Sequence, residues 1–396
     1  MSLGLAYAAD VTGQLTADVT VERGTVRASL DAGRRTHVIT YHLPDGPVAT
    51  APDMLVPLAL APAMRIGAPL RVRAPVSPRL RASVPLIQDV FRLFFRCLRR
   101  IDVEVENRAA AIPSTERGVG AFFSGGVDSF YTAIKHREEI TGLIFVHGFD
   151  IKLEDGPLRA AVSSELRQAA AELGKPLIEV ETNMRAFSDP LVPWGLFFGS
   201  ALASVALLLA PRFRRMYVPG DYSLADLHPY GSHPLLDPLW STEDLEIVHD
   251  GIEATRVEKV EAIAEHETAL RRLRSCWQHL TPEYNCGRCE KCIRTMVNLH
   301  LAGALERATT FPGSISPRRV ARIAPQARQT PYFWRQNLAA AEQRGADPAL
   351  TRAIRRCVRY GERRHPMRGL MNRLRPYVAR AIGTVHRLGQ RKRADR

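Results

Sequence analysis

Two groups of residues have types and spacings that could do chemistry. The first is Ser124-Gly125-Gly126-Val127-Asp128-Ser129, within GVGAFFSGGVDSFYTAIKH, residues 118–136. Its glycines let the backbone turn sharply and bring N–H groups close to a ligand. The apolar run Val119–Phe123 predicts a strand before the loop, and a helix is predicted from about Asp128. The helix would add unpaired N–H groups and the positive end of its dipole. Ser124 and Ser129 can donate hydroxyl hydrogen bonds. A pyrophosphate suits this arrangement. Asp128 is out of place beside an anion unless a Mg²⁺ ion bridges it to the phosphates. A serine- and glycine-rich turn with an Asp or Ser cap is the plainer alternative, and it fits a bare glycine pair better than the full hexad. The hexad is neither GxxxxGK[ST] nor GxGxxG.

The second group is Cys276, Cys286, Cys289 and Cys292, spaced C-x9-C-x2-C-x2-C. Four thiolates complete a tetrahedral Zn²⁺ site, and x2 spacing lets neighbouring sulfurs converge. With every position filled by protein, such a site would be closed and structural. An iron–sulfur cluster, or a redox or sulfur-carrying cysteine pair, is the alternative. Cys97 and Cys357 are isolated in sequence. Six cysteines clustered in this way do not make a disulfide framework, so a reducing, cytoplasmic compartment is expected. The opening MSLGLAYAAD lacks a basic start and a long apolar stretch, so no secretion signal is expected.

Elements must position these groups. Residues 1–112 read as a β-rich N-terminal domain. LTADVTVERGTVRASL alternates apolar and polar residues around a turn at Glu22–Gly24, THVITYHL is another strand, and PLRVRAPVSPRL is extended. LIQDVFRLFFRCLRR has helical spacing, which places Leu86, Val90, Leu93, Phe94 and Cys97 on one face. Residues 113–275 alternate strand and helix, which predicts an α/β domain with a parallel sheet covered on both faces. Its strands are GVGAFF, TGLIFVHGFD, PLIEVETN and RMYVPGD; PLRAAVSSELRQAAAELG and TRVEKVEAIAEHETALRRLRS are helices. Residues 221–252 form a loop-rich excursion with His228, Tyr230, His233 and Asp237. A zinc-binding subdomain over 276–312 and a basic helical extension over 313–396 follow. No internal repeat is evident.

With 396 residues, 45% hydrophobic and 24% charged, the chain has the composition of a globular protein of two or three domains. Its net charge of +14 is concentrated at one end. Residues 313–396 hold 20 Arg and one Lys against four acidic residues, an excess of 17, which leaves the rest slightly acidic. Such a segment could attract nucleic acid, an acidic membrane surface or an acidic protein, or could be a solvated Arg-rich extension. The uncharged run Leu191–Ala210 has the length of a bilayer span. Pro193, Gly195, Gly199, Ser200 and Ser204 argue instead for a helix packed against a sheet, and no transmembrane span is expected.

The hexad resembles the phosphate loop (PP-loop) of the adenine nucleotide alpha-hydrolase, or N-type ATP pyrophosphatase, superfamily. Followed by the cysteine cluster, it is similar to the 7-cyano-7-deazaguanine synthase family over about residues 118–300. This resemblance implies a Rossmann-like PP-loop domain that cleaves ATP between its α and β phosphates and transfers AMP to a substrate oxygen. ATP, Mg²⁺ and Zn²⁺ are the implied cofactors. Ser124, Gly125, Gly126, Val127, Asp128 and Ser129 fall on the ATP loop, with Asp128 and Ser129 in the catalytic roles. Thr255-Arg256 lies where such enzymes carry a Thr-Lys pair that reaches the phosphates. Backbone groups near Val146 to Gly148 and Asn183, at the strand ends, would hold adenine and ribose. The N-terminal domain, the His-containing excursion and the basic extension have no counterpart in the resemblance.

Three functions remain open on sequence. In the first, a carboxylate is adenylated and ammonia or an amine attacks, with His228, His233 or Asp221 either moving protons or simply making loop hydrogen bonds. The acceptor would be a small molecule or macromolecule carrying that carboxylate. The second is a tRNA-modifying enzyme, thiolating or amidating, with the same adenylation. The third is a non-catalytic ATP-binding interaction protein. A homodimer is allowed for.

Overall fold

A computed structural model describes residues 11–22, 24–43, 51–107, 117–278, 280, 283–324 and 330–363. The chain divides into two compact units, Met1–Gly220 with His228–Asp250, and Asp221–Leu227 with Gly251–Arg396.

The first unit is built on one ten-stranded, mostly parallel sheet. Its strands are β1 (Val11–Glu22), β2 (Thr25–Gly33), β3 (Thr36–His42), β4 (Leu70–Val76), β5 (Val103–Asn107), β6 (Gly118–Phe122), β7 (Gly142–His147), β8 (Leu177–Thr182), β9 (Phe213–Pro219) and β10 (Glu246–Asp250). They lie in the order β10-β9-β6-β7-β8-β3-β2-β1-β4-β5. From β10 to β8 all neighbours are parallel. β1, β2 and β3 are antiparallel, and β3 joins β8 through Tyr41 opposite Thr182 and His42 opposite Glu181. The boundary expected near residue 112 lies outside the described residues. The strands on either side of it, β5 and β6, belong to the same sheet.

Burial follows from the residues. β4 alternates buried and exposed positions along LRVRAPV, the mark of a sheet covered on one face. β7, GLIFVH, is buried at every position, as a strand covered on both faces must be. Helices α1 (Leu55–Ile66), α2 (Pro78–Phe94), α3 (Val127–Lys135), α4 (Gly156–Glu172), α5 (Met184–Ser188) and α6 (Trp194–Leu208) complete the unit. The run Leu191–Ala210 contains α6, only 15 residues long and buried along most of its length. Among the described residues no helix is long and apolar enough to cross a membrane. Its small residues let neighbours in closely. A Cβ on Gly199 would overlap the Gly231 carbonyl, and Ser204 Oγ donates to the Met54 carbonyl at 3.1 Å.

Three expectations are refined or corrected. In α2 the buried side chains are Leu80, Val84, Ile87, Gln88 and Phe91, whereas Leu86 and Leu93 are 53% and 78% exposed and Cys97 is exposed. The helix starts at Pro78 after its Ser77 cap, and that longer register includes an apolar stripe upstream of the one counted from Leu86. Second, the loop-rich excursion also contains one strand. Glu246–Asp250 forms β10, an edge strand paired with β9 alone and too short to show alternation. Third, the single helix expected over 255–275 is two.

The second unit is helical. α7 (Arg256–Ala264) opens with a capping box between Thr255 and Glu258, and α8 (Glu267–Arg272) follows a break at Glu265 and His266. After the cysteine loop come α9 (Glu290–Leu301), α10 (Pro317–Ala321), α11 (Thr330–Gln343) and α12 (Pro348–Arg363). Trp334 is fully buried and its indole N–H donates to Glu290 Oε1 at 2.9 Å. Of the basic helical extension expected over 313–396, residues 325–329 and 364–396 lie outside the described residues.

Candidate functional site

The loop Ser124–Ser129 leaves the carboxyl end of β6 and enters α3. β6 is the first strand of the parallel set and lies between β9 and β7, so the chain winds one way to β7 and β8 and the other way to β9 and β10. The crevice beyond a strand end where the order reverses is where open α/β sheets bind ligands. Gly125 takes φ +71°, a left-handed conformation that costs other residues energy. Gly126 is the N-cap of α3, and no side chain caps the helix. The first-turn N–H groups therefore keep their capacity for an anion. Ser124, Gly126 and Asp128 are half-buried, while Gly125, Val127 and Ser129 are buried. Ser129 Oγ donates to the Gly126 carbonyl at 3.0 Å, so its hydroxyl must be released before it can donate to a phosphate. Asp128, in the first turn, offers a carboxylate suited to a divalent cation.

Asp250 holds α3 in place, a role the sequence did not signal. It accepts from Thr132 Oγ1 at 2.7 Å and from Lys135 Nζ at 2.8 Å, and meets His136 Nε2 at 2.9 Å. Burial alone would raise its pKa, but the hydrogen bonds from Lys135, His136 and Thr132 bring it below the usual aspartate value. His136 also stacks on Tyr217 with ring centres 4.2 Å apart.

At the carboxyl end of β7, Val146 is buried and Gly148 takes φ +94°. A Cβ there would overlap the Thr182 carbonyl, so the close approach of backbones requires glycine. Between them His147 meets Glu179 at 2.8 Å, with Ser163 and Arg167 on the same carboxylate at 2.5 and 2.6 Å. Burial raises the Glu179 pKa, and these partners pull it down to about 2. The Asn183 side chain is engaged with β3, accepting from Thr40 N–H at 2.8 Å and donating to the Val38 carbonyl at 3.2 Å. Only its backbone is left for a ligand.

The residues of the excursion do not form one group. His233, Asp237 and His249 make a buried network in the first unit, with Asp237 accepting from Ser232 at 2.7 Å and meeting His249 Nδ1 at 2.7 Å. His233 Nδ1 accepts from the Leu235 N–H at 3.1 Å. Burial, then repulsion from His249, pushes the His233 pKa down to about 4, so its ring is neutral at pH 7. His228 and Tyr230 are ring neighbours, 6.1 Å apart. Asp221 lies in the second unit, where its Oδ1 is 3.3 Å from Arg256 Nη2. Arg256 is buried and stands 5.2 Å from the Phe333 ring.

Also in the second unit, Cys276, Cys286, Cys289 and Cys292 are all buried, with their sulfurs within 4.8 Å of one another. Cys286 Sγ and Cys292 Sγ are 3.9 Å apart. A tetrahedron with Zn–S bonds of about 2.3 Å has sulfurs roughly 3.8 Å apart, so the four fit such an ion. The local fold builds the cluster at a helix start. Cys289 is the N-cap of α9 and its sulfur accepts from the Cys292 N–H at 3.4 Å, while Cys286 Sγ accepts from the Cys289 N–H at 3.3 Å. Asn285 clamps the loop, accepting from the Ser275 and Cys276 N–H groups at 2.8 and 3.1 Å and donating to the Leu273 carbonyl at 2.8 Å. Its only sequence signal was a place just before CGRC. The hydrogen bond with Cys276, followed by other effects of the crowded thiols, raises the Cys289 pKa to about 12. Four thiolates held this close repel one another unless a cation sits among them. The buried guanidinium of Arg274 carries no hydrogen bond at Nε or Nη2, and it stands two residues before Cys276. Four thiolates around a divalent ion make a dianion that such a charge would complement.

No family model, curated protein or solved structure matches the chain.

Proposed function

We propose that this chain is an ATP-dependent adenylating enzyme, with Ser124–Ser129 holding the pyrophosphate end of the nucleotide. The observation that carries this reading is the hexad turning from β6 into the uncapped start of α3, where the strand order reverses. Mg–ATP would supply the AMP that activates a carboxylate oxygen of the acceptor, followed by attack of ammonia or an amine.

The chain's own groups have the following tasks. The Gly125 turn and the N–H groups of α3 hold charge that builds up on the departing phosphates, and their fixed orientation avoids reorganisation during the reaction. Asp128 holds the divalent cation. Ser124, and Ser129 once its hydroxyl turns from Gly126, donate to phosphate oxygens. The backbone at Val146–Gly148 and Asn183 offers hydrogen bonds to the base and sugar. The four cysteines would hold a structural zinc, since four thiolates are enough to fill a tetrahedral ion's positions. A nucleic-acid or acidic partner for residues 313–396 is a separate question, taken up below.

The test is release of AMP and pyrophosphate by wild type and Asp128→Ala across carboxylated deazapurines, carboxylate-bearing peptides and tRNA. Release by wild type with at least one acceptor, reduced by about 10²-fold or more in the variant, is expected. Absence of release with every acceptor would overturn the reading.

A further inference from the structure

Helices α10 and α12 meet through Cys357, whose sulfur lies 3.2 Å from the Val320 carbonyl and 3.8 Å from that of Ile323. Arginines border this seam on both helices. Arg318, Arg319 and Arg322 flank Val320, while Arg352, Arg356 and Arg359 run along α12 at spacings of four and three, which places them on one face. All six are exposed. None of them has a carboxylate partner among the described residues, because the nearby acids serve elsewhere. Glu342 pairs with Arg355, Glu362 pairs with Arg335, and Asp347 accepts from the first N–H groups of α12. Tyr360, 38% exposed and one turn beyond Arg356, is the one large hydrophobic side chain exposed on these helices among the described residues.

We propose that this arginine seam binds RNA, its guanidinium groups on successive phosphates and the Tyr360 ring against an unpaired base. Guanidinium forks match phosphate oxygens bidentately, and the extension uses 20 arginines but a single lysine. The excess charge is segregated here while the rest of the chain is slightly acidic, so overall composition does not explain it. A bilayer surface fits less well, since interfacial helices bury an apolar face and this one exposes arginines around a single tyrosine. An aromatic ring among phosphate-binding groups suits the splayed bases of RNA loops rather than a closed duplex. The inference does not depend on adenylation; loss of ATP binding would leave it standing.

The experiment uses the full chain and a fluorescent RNA stem–loop, with anisotropy read from 50 to 200 mM KCl. Wild type is expected to bind with affinity that falls steeply with salt. The triple variant Arg352→Gln, Arg356→Gln, Arg359→Gln should bind at least tenfold more weakly, with the salt slope reduced by about two. Tyr360→Ala should lose about tenfold on the stem–loop and nothing on a fully paired DNA duplex of equal length. Unchanged melting curves identify these as surface effects. Wild-type affinity in the triple variant would overturn the proposal, as would equal binding of duplex and stem–loop by both wild type and Tyr360→Ala. Binding to phosphatidylserine vesicles but not to RNA would also overturn it.

Discussion

Asp250 joins the end of one strand to three side chains of the helix region behind the glycine loop, namely Thr132, Lys135 and His136. Removing its carboxylate leaves the buried Thr132 hydroxyl without its acceptor and takes an ion-pair partner from the more exposed Lys135. Asp250→Ala is expected to cost about 1–3 kcal/mol in chemical denaturation. A loss under about 0.5 kcal/mol, the usual range for an inconsequential surface change, would contradict this role. His233 gives a prediction in pH. Its folded pKa of about 4 is below its ordinary value of 6.5, so the unfolded chain takes up the proton first as pH falls. Stability from this site is therefore full above pH 6.5 and is lost from there towards pH 4, by about 2 kcal/mol at pH 5. His233→Asn, which keeps an acceptor for the Leu235 N–H, should flatten the melting temperature between pH 7 and 5. At this scale the sequence was legible where chemistry is local. The hexad and the cysteines each sit within a short stretch. Asp250 is more than a hundred residues from its partners, and nothing in its neighbours marks it. Arg274 and Asn285 become visible only when the cysteine loop is closed.

Elements were legible where their period was clean. The alternation in β1 and β2 and the short apolar runs of β6 and β7 named themselves as strands. The inward face of α2 did not, because two apolar stripes coexist on that helix and only contact decides which is buried. β10 was hidden by its shortness. The small residues of α6 pointed to close packing, and the structure gives the contact. Gly199→Ala should force α6 from the Gly231 carbonyl and cost about 1–3 kcal/mol in thermal or chemical denaturation. An unaltered midpoint would mean that the two backbones separate freely. This substitution touches none of the loop residues from Ser124 to Ser129, so affinity for Mg–ATP should not change.

For the whole molecule, the first unit carries the loop and the second carries the thiols, each on its own scaffold. The thiol cluster is where α9 begins, so metal binding and the folding of the second unit are linked. Elemental analysis should find one zinc per chain, and Cys289→Ser should lose it. Amide exchange should then rise in α7 and α9, while β6 and β7 keep their protection. Metal-free protein with full protection in α9 would contradict a structural metal. How the N-terminal strands extend the sheet was not legible, since pairing of β3 with β8 joins segments about 140 residues apart. The central claim is that Ser124–Ser129 binds the polyphosphate of ATP. The most direct measurement is titration calorimetry of Mg–ATP against wild type and Gly126→Val. Adenylation chemistry requires that wild type bind Mg–ATP, that inorganic pyrophosphate compete for the same site, and that the valine variant lose the binding at least tenfold. Absence of Mg–ATP binding by wild type, or equal binding by the variant, would contradict it.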